Sequence, residues 1–134
     1  MDAEELLAKY AAGERDFEGA NLAGVALPGA DLSGINLSRA NLVESNLSGA
    51  NLSGANLREA NLARVNLTQA NLNNAVLLKA NMTEIQLGFA DLTGAVAIEA
   101  NLSNAFLFNA NLTNANFTDA FLKGAVMSDG TDQR

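Results

Sequence analysis

At 134 residues the chain is one domain by size, 49% hydrophobic but only 5% aromatic, so its core must be assembled from small and aliphatic side chains. It contains no Cys and no His, which removes disulfides, thiol nucleophiles, the commonest general base and the commonest metal ligand. A net charge of −7 disfavours direct binding to nucleic acid or anionic membranes and favours plain solubility or a basic partner.

Residues 1–14 read as an N-terminal capping helix. Asp2 is placed to N-cap, Glu5 to complete a capping box, and Gly13 to end the helix. Leu6, Leu7, Tyr10 and Ala11 are expected on its apolar side. No apolar run approaches the roughly 18 residues that span a bilayer. The acidic start Met1-Asp2-Ala3-Glu4-Glu5 is unlike a secretory leader, and the cytoplasm is the expected location.

From Arg15 to Asp129 the sequence divides into 23 consecutive pentapeptides without an insertion. The third residue is Leu in 18 of the 23, with Phe17, Met82, Ala97, Phe117 and Met127 as the exceptions. Two residues earlier stands Ala in 17 of 23, and between them Asn or Asp in 16 of 23. A period of 3.6 would smear these Leu residues around a helix, and a period of 2 would split them between sheet faces. A turn every five residues reconciles them. Three residues run extended, with Ala and Leu inward and Asn or Asp outward, and the next pair makes a corner. Leu27-Pro28-Gly29-Ala30 has the composition of a type II turn, with Pro presetting φ and Gly accepting φ > 0. Gly recurs at that corner position, for example at Gly34, Gly49 and Gly94, and Asn at Asn74, Asn104, Asn109 and Asn114.

This Ala-(Asn/Asp)-Leu-x-x pattern resembles the pentapeptide repeat family. The resemblance implies an all-β solenoid, a right-handed quadrilateral β-helix in which four pentapeptides make one coil and residues 20 apart stack. The 23 repeats would then give nearly six coils, a rod of roughly 27 Å at about 4.8 Å per coil. One core column would read Phe17, Leu37, Leu57, Leu77, Ala97, Phe117. The Phe117 ring is expected to lean into the space at Ala97, unless the backbone shifts and turns Ile98 inward.

On the outside, two corner columns carry charges of mostly alternating sign: Arg39, Glu59, Lys79, Glu99, Asp119, and Glu44, Arg64, Glu84. They read as solvated ion-pair ladders worth at most about 1 kcal/mol per pair. Asn columns such as Asn41, Asn61, Asn81 and Asn101 read as hydrogen-bonding residues along the stack and to turn backbone. No catalytic residue, metal ligand or cofactor is assigned, and the chain reads as a non-enzyme. The informative departures are hydrophobic residues where Asn, Ser or Thr is usual. Val76, Leu78, Val96 and Ile98 would form an aliphatic patch on one face, and Phe106 and Phe108 an aromatic one on another, with Phe89 and Phe121 adding exposed rings.

Residues 130–134 read as a polar tail that leaves the last coil bare, an edge open to pairing with a second copy. The preferred function is a non-catalytic protein-interaction module, bound to another protein or to itself, with a possible homodimer through the C-terminal coil and with no direct nucleic-acid or membrane partner. The resemblance offers a runner-up, a DNA-mimicking modulator of a type II topoisomerase (gyrase). The ten acidic and six basic residues of the repeats give about one net charge per 7 Å, against one per about 1.7 Å in duplex DNA.

Overall fold

The computed structural model describes residues 1–131 of the chain. One helix, α1 (Ala3–Ala11), precedes a right-handed four-sided β-helix in which every β-bridge is parallel and joins residues 20 apart, from Asp16↔Asn36 to Phe106↔Val126. The period-five signal becomes structure through backbone bonding. Each repeat before the last coil donates to the next coil from its centre residue and its corner residue, as in Leu37 N–H to the Asn56 carbonyl (2.8 Å) and Arg39 N–H to the Arg58 carbonyl (2.8 Å). A third bond runs back, as in Asn56 N–H to the Ile35 carbonyl (2.9 Å), and the turn itself closes through Ala40 N–H to the Leu37 carbonyl (3.0 Å). The backbone is thus satisfied by neighbouring coils rather than within one extended sheet.

All corners from Gly19 to Gly124 have φ > 0 at the third turn position, the type II geometry. Gly and Asn were expected there. Arg39, Glu44, Glu59, Arg64, Gln69, Lys79, Glu84, Phe89, Glu99 and Asp119 also adopt it, at φ 56–61°. A left-handed conformation costs an L-residue about 1–2 kcal/mol, and at every one of these corners except Asp119 the residue's own N–H is tied to the next coil, which imposes it. The pattern lapses at the final corner, where Gly130 (φ 87°) rather than Asp129 turns the chain and Met127 N–H meets the Thr131 carbonyl at 2.7 Å.

The Asn and Asp residues before each centre have one dominant task. All 16 accept, through Oδ1, from the N–H two residues on, at 3.0–3.3 Å. They satisfy the corner donor that the ladder leaves over. Bonds along the stack are few, from Asn36 Nδ2 to Asp16 (3.2 Å) and from Asn81 Nδ2 to Asn61 (3.4 Å). Ala26 escapes the requirement, because Pro28 two residues later has no N–H to satisfy.

The core is a column of stacked Leu and Ala. At the N-terminal end α1 covers the first coil, so that Phe17, Leu22, Leu27 and Leu32 are all buried. Asp2 Oδ1 accepts from Glu5 N–H (2.8 Å), but Glu5 completes no reciprocal box; its carboxylate pairs with Lys9 at 3.3 Å. The packed side of the helix is Ala3, Leu6 and Tyr10, spaced for one face. Leu7 (41% exposed) and Ala11 point to water, contrary to the sequence expectation, because the helix contacts the coil through a narrow stripe. Tyr10 fastens it, donating to the Ser33 carbonyl at 2.7 Å beneath the Arg15 guanidinium, which lies 3.6 Å from the ring centroid. At the other end Leu112, Phe117, Leu122 and Met127 are only partly buried. Ala97 remains fully buried and Ile98 half-buried, so the backbone makes no inward shift at Ile98, and Phe117 packs against the core. Of the tail 130–134, residues 132–134 lie outside the described residues.

Candidate interaction site

The four walls are numbered here by their centre residues: Phe17 begins wall 1, Leu22 wall 2, Leu27 wall 3 and Leu32 wall 4. The ion-pair ladders occupy the corners after walls 1 and 2. Arg39 reaches Glu18 (3.2 Å) and Glu59 (4.0 Å), Arg58 reaches Glu59 (3.1 Å), Arg64 reaches Glu44 (3.8 Å) and Lys79 reaches Glu99 (4.0 Å). The bond from Arg58, with Arg39 and Lys79 nearby, holds the Glu59 carboxyl below its ordinary range. Glu99 of the like-charged Glu99–Asp119 pair is engaged by Lys79. Among the described residues no group of three or more carboxylates stands close enough to hold a metal ion.

Val76, Leu78, Val96 and Ile98 lie together on wall 1, with Val76 and Val96 bridged directly. All four are half-buried, because stacked aliphatic side chains cover one another. Replacing Asn by Val at two successive coils also removes the acceptors for Leu78 N–H and Ile98 N–H, which have no partner among the described residues.

Phe106 and Phe108 stand on the opposite wall 3 and form the more exposed site, at 44% and 38%. Phe89 joins them from the corner one coil earlier, 55% exposed. Its ring meets Phe108 edge-on at 6.1 Å between centroids, and Phe106 tilts against Phe108 at 6.3 Å. What seats the rings is Gly88. A Cβ there would lie 3.2 Å from Phe106 Cε1, and Gly88 is buried beneath the cluster. On its far side Phe108 lies over Gly130. The sequence held a signal for this arrangement, because Gly88 is the one repeat-region Gly that does not occupy the third turn position. Phe89 is the one aromatic residue at a left-handed corner, where a bulky side chain is a true outlier. Phe106 also stands where Asn would accept from Phe108 N–H, and that donor has no partner among the described residues. Beside the rings, Glu84, Gln86, Asn104 and Phe106 line an open notch at the corner between walls 2 and 3. Phe121, 67% exposed, stands apart from the cluster on wall 2 of the last coil.

With this geometry in hand, the sequence profile of the pentapeptide repeats matches eight copies, over residues 16–54, 50–88 and 90–129. The chain is a pentapeptide repeat protein. Among solved structures it is similar to Rfr23 of the cyanobacterium Cyanothece 51142, at 30% identity and a TM-score of 0.59, over 93% of this chain and 99% of that one. It is also similar to alr5209 of Nostoc Pcc 7120, a pentapeptide repeat protein, at 32% identity and a TM-score of 0.59, over 91% and 96% of the two chains. QnrB1, a plasmid-mediated fluoroquinolone resistance protein, shares the fold with a TM-score of 0.77 at 23% identity, over 92% of this chain and 65% of that one. No curated protein matches the chain.

Proposed function

We propose that the chain is a non-catalytic interaction module that binds a protein partner through wall 3. The observation that carries this reading is the Phe89–Phe106–Phe108 cluster. Three rings stay exposed at positions where the fold's own repeat would place polar residues, and Phe106 forgoes the corner hydrogen bond that Asn or Asp makes in 16 of the 23 repeats. Folding gains little from such a substitution. A rigid aromatic cluster on a flat wall is what a partner's apolar anchor needs. Val76, Leu78, Val96 and Ile98 serve as a shallower second contact surface on the opposite wall.

The same reading extends to the last coil, which offers a ladder edge for pairing with a second copy. Among the described residues the N–H groups of Leu112, Asn114, Phe117, Asp119, Leu122 and Gly124 have no acceptor, and the coil's centre residues are partly exposed. Charge argues against DNA mimicry, because the ladders interleave both signs and four of their five basic and acidic contacts bridge successive coils.

The test is a double variant, Phe106→Asn with Phe108→Ser, which restores the commonest residues of the repeat and with them the corner hydrogen bond. It should keep the thermal midpoint within a few degrees of the parent while losing the proteins that the parent retains from lysate of the source cell. Retention of the same proteins by both would remove wall 3 as the binding face.

A further inference from the structure

We propose that the notch lined by Glu84, Gln86, Asn104 and Phe106 seats an arginine side chain presented by the partner; this rests on the interaction-module reading above and deepens it. The case begins with charge. The corner column after wall 2 reads Glu44, Arg64, Glu84, Asn104, Gly124, one cation for two carboxylates. Arg64 turns to Glu44 at 3.8 Å, and Glu84 has no cation within salt-bridge distance among the described residues. Its left-handed backbone (φ 57°) projects it from the corner, where it is exposed.

The neighbouring groups complete a site for a planar cation. Gln86 stands at a position usually held by Asn, but it makes no bond to Gly88 N–H, and its side-chain amide has no partner among the described residues. Its carbonyl adds an acceptor, and Asn104, one coil beyond Glu84, lines the notch with its Oδ1 turned toward Gly124. Phe106 supplies an aromatic surface beside the carboxylate, and Phe108 and Phe89 extend it with an apolar floor for the residues flanking the arginine. A guanidinium uses all of these at once. It donates in a fork to carboxylate and amide oxygens while its plane packs on a ring, which a compact ammonium does less well. The protein's net charge of −7 favours the approach of such a partner. The partner is therefore a basic segment in which an arginine is flanked by apolar residues.

The experiment is an amide-resolved NMR titration of the full chain with Nα-acetyl-arginine amide. Nα-acetyl-citrulline amide, of the same shape without the charge, is the control. Shifts should concentrate at Glu84, Gln86, Gly88, Asn104 and Phe106, and they should weaken as salt rises. Citrulline, and separately the Glu84→Gln variant, should weaken binding by about fivefold, the factor one exposed ion pair supplies at its upper end. The variant is expected to fold as the parent does, because among the described residues the Glu84 carboxylate makes no salt bridge or hydrogen bond that would be lost. Shifts spread over Glu18, Glu44, Glu99 and Asp119 alike would overturn the proposal, as would equal responses to arginine and citrulline. Either failure leaves the wall 3 reading to its own test, since capture through the Phe106–Phe108 face does not depend on Glu84.

Discussion

Removing one hydroxyl from the core should stabilise this protein. Ser45 is buried, and its Oγ has no hydrogen-bond partner among the described residues. It stands where most repeats carry Ala, stacked between Val25 and Val65. A buried donor left unmade costs about 1–3 kcal/mol, so Ser45→Ala should gain about 1.5 kcal/mol. With an unfolding entropy of about 2.1 cal/mol/K per residue, this corresponds to a rise of about 5 °C in the thermal midpoint. Ser38 supplies an internal control, being equally buried in the solenoid but donating from Oγ to Glu18 at 3.3 Å. Ser38→Ala should lower the midpoint or leave it unchanged. The assay is thermal and denaturant unfolding followed by circular dichroism, parent and variants side by side. A Ser45→Ala midpoint at or below that of the parent would refute the reasoning, because it would mean that the hydroxyl is satisfied in the folded state.

The left-handed corners make a second prediction. Gln69→Gly, at φ 61° and with no side-chain hydrogen bond among the described residues, should raise stability by about 1 kcal/mol. Gly94→Ala should lower it, since φ is 70° and a Cβ would collide with the Asn74 side chain; denaturant midpoints read both. In acid, Asp91 matters. The Thr93 hydroxyl and N–H, with Asn73 nearby, hold its carboxyl below the ordinary 3.8. Its contribution is therefore present above that value and lost as pH falls through the lower folded one. Asp91→Asn keeps the corner bond and should lose less stability than the parent as pH falls below the ordinary 3.8, read by unfolding at stepped pH. Finally, purified protein should leave gyrase supercoiling unchanged at tens of micromolar, as its charge spacing of about one per 7 Å implies, and inhibition in that assay would revive the DNA-mimic reading.

Much of this molecule was legible before any coordinates. The five-residue period, the inward Leu and Ala, the outward Asn and the turn at Pro28-Gly29 are local facts, and each repeat reports the same environment. Repetition turns a weak signal at one site into a strong one over 23. The face of α1 that packs was not legible, because Leu6 and Leu7 are equally apolar and only the seating of the helix on the first coil decides that Leu6 is buried and Leu7 is not.

The sequence by itself determined the repeat, the core and the positions where polar residues give way to hydrophobic ones. It also determined that Phe106 and Phe108 point outward, since Phe106 alternates with inward Ala105 and Leu107 along the extended segment and Phe108 stands on the turn that follows. Tertiary structure alone decided that Phe89 joins them, that Gly88 makes room beneath them, and that Arg64 serves Glu44 and leaves Glu84 without a cation among the described residues. These are relations between coils, set by stacking at about 4.8 Å and by how each side chain turns at its corner. A one-dimensional period can place residues in a column, but it does not say which neighbour in that column each one will touch.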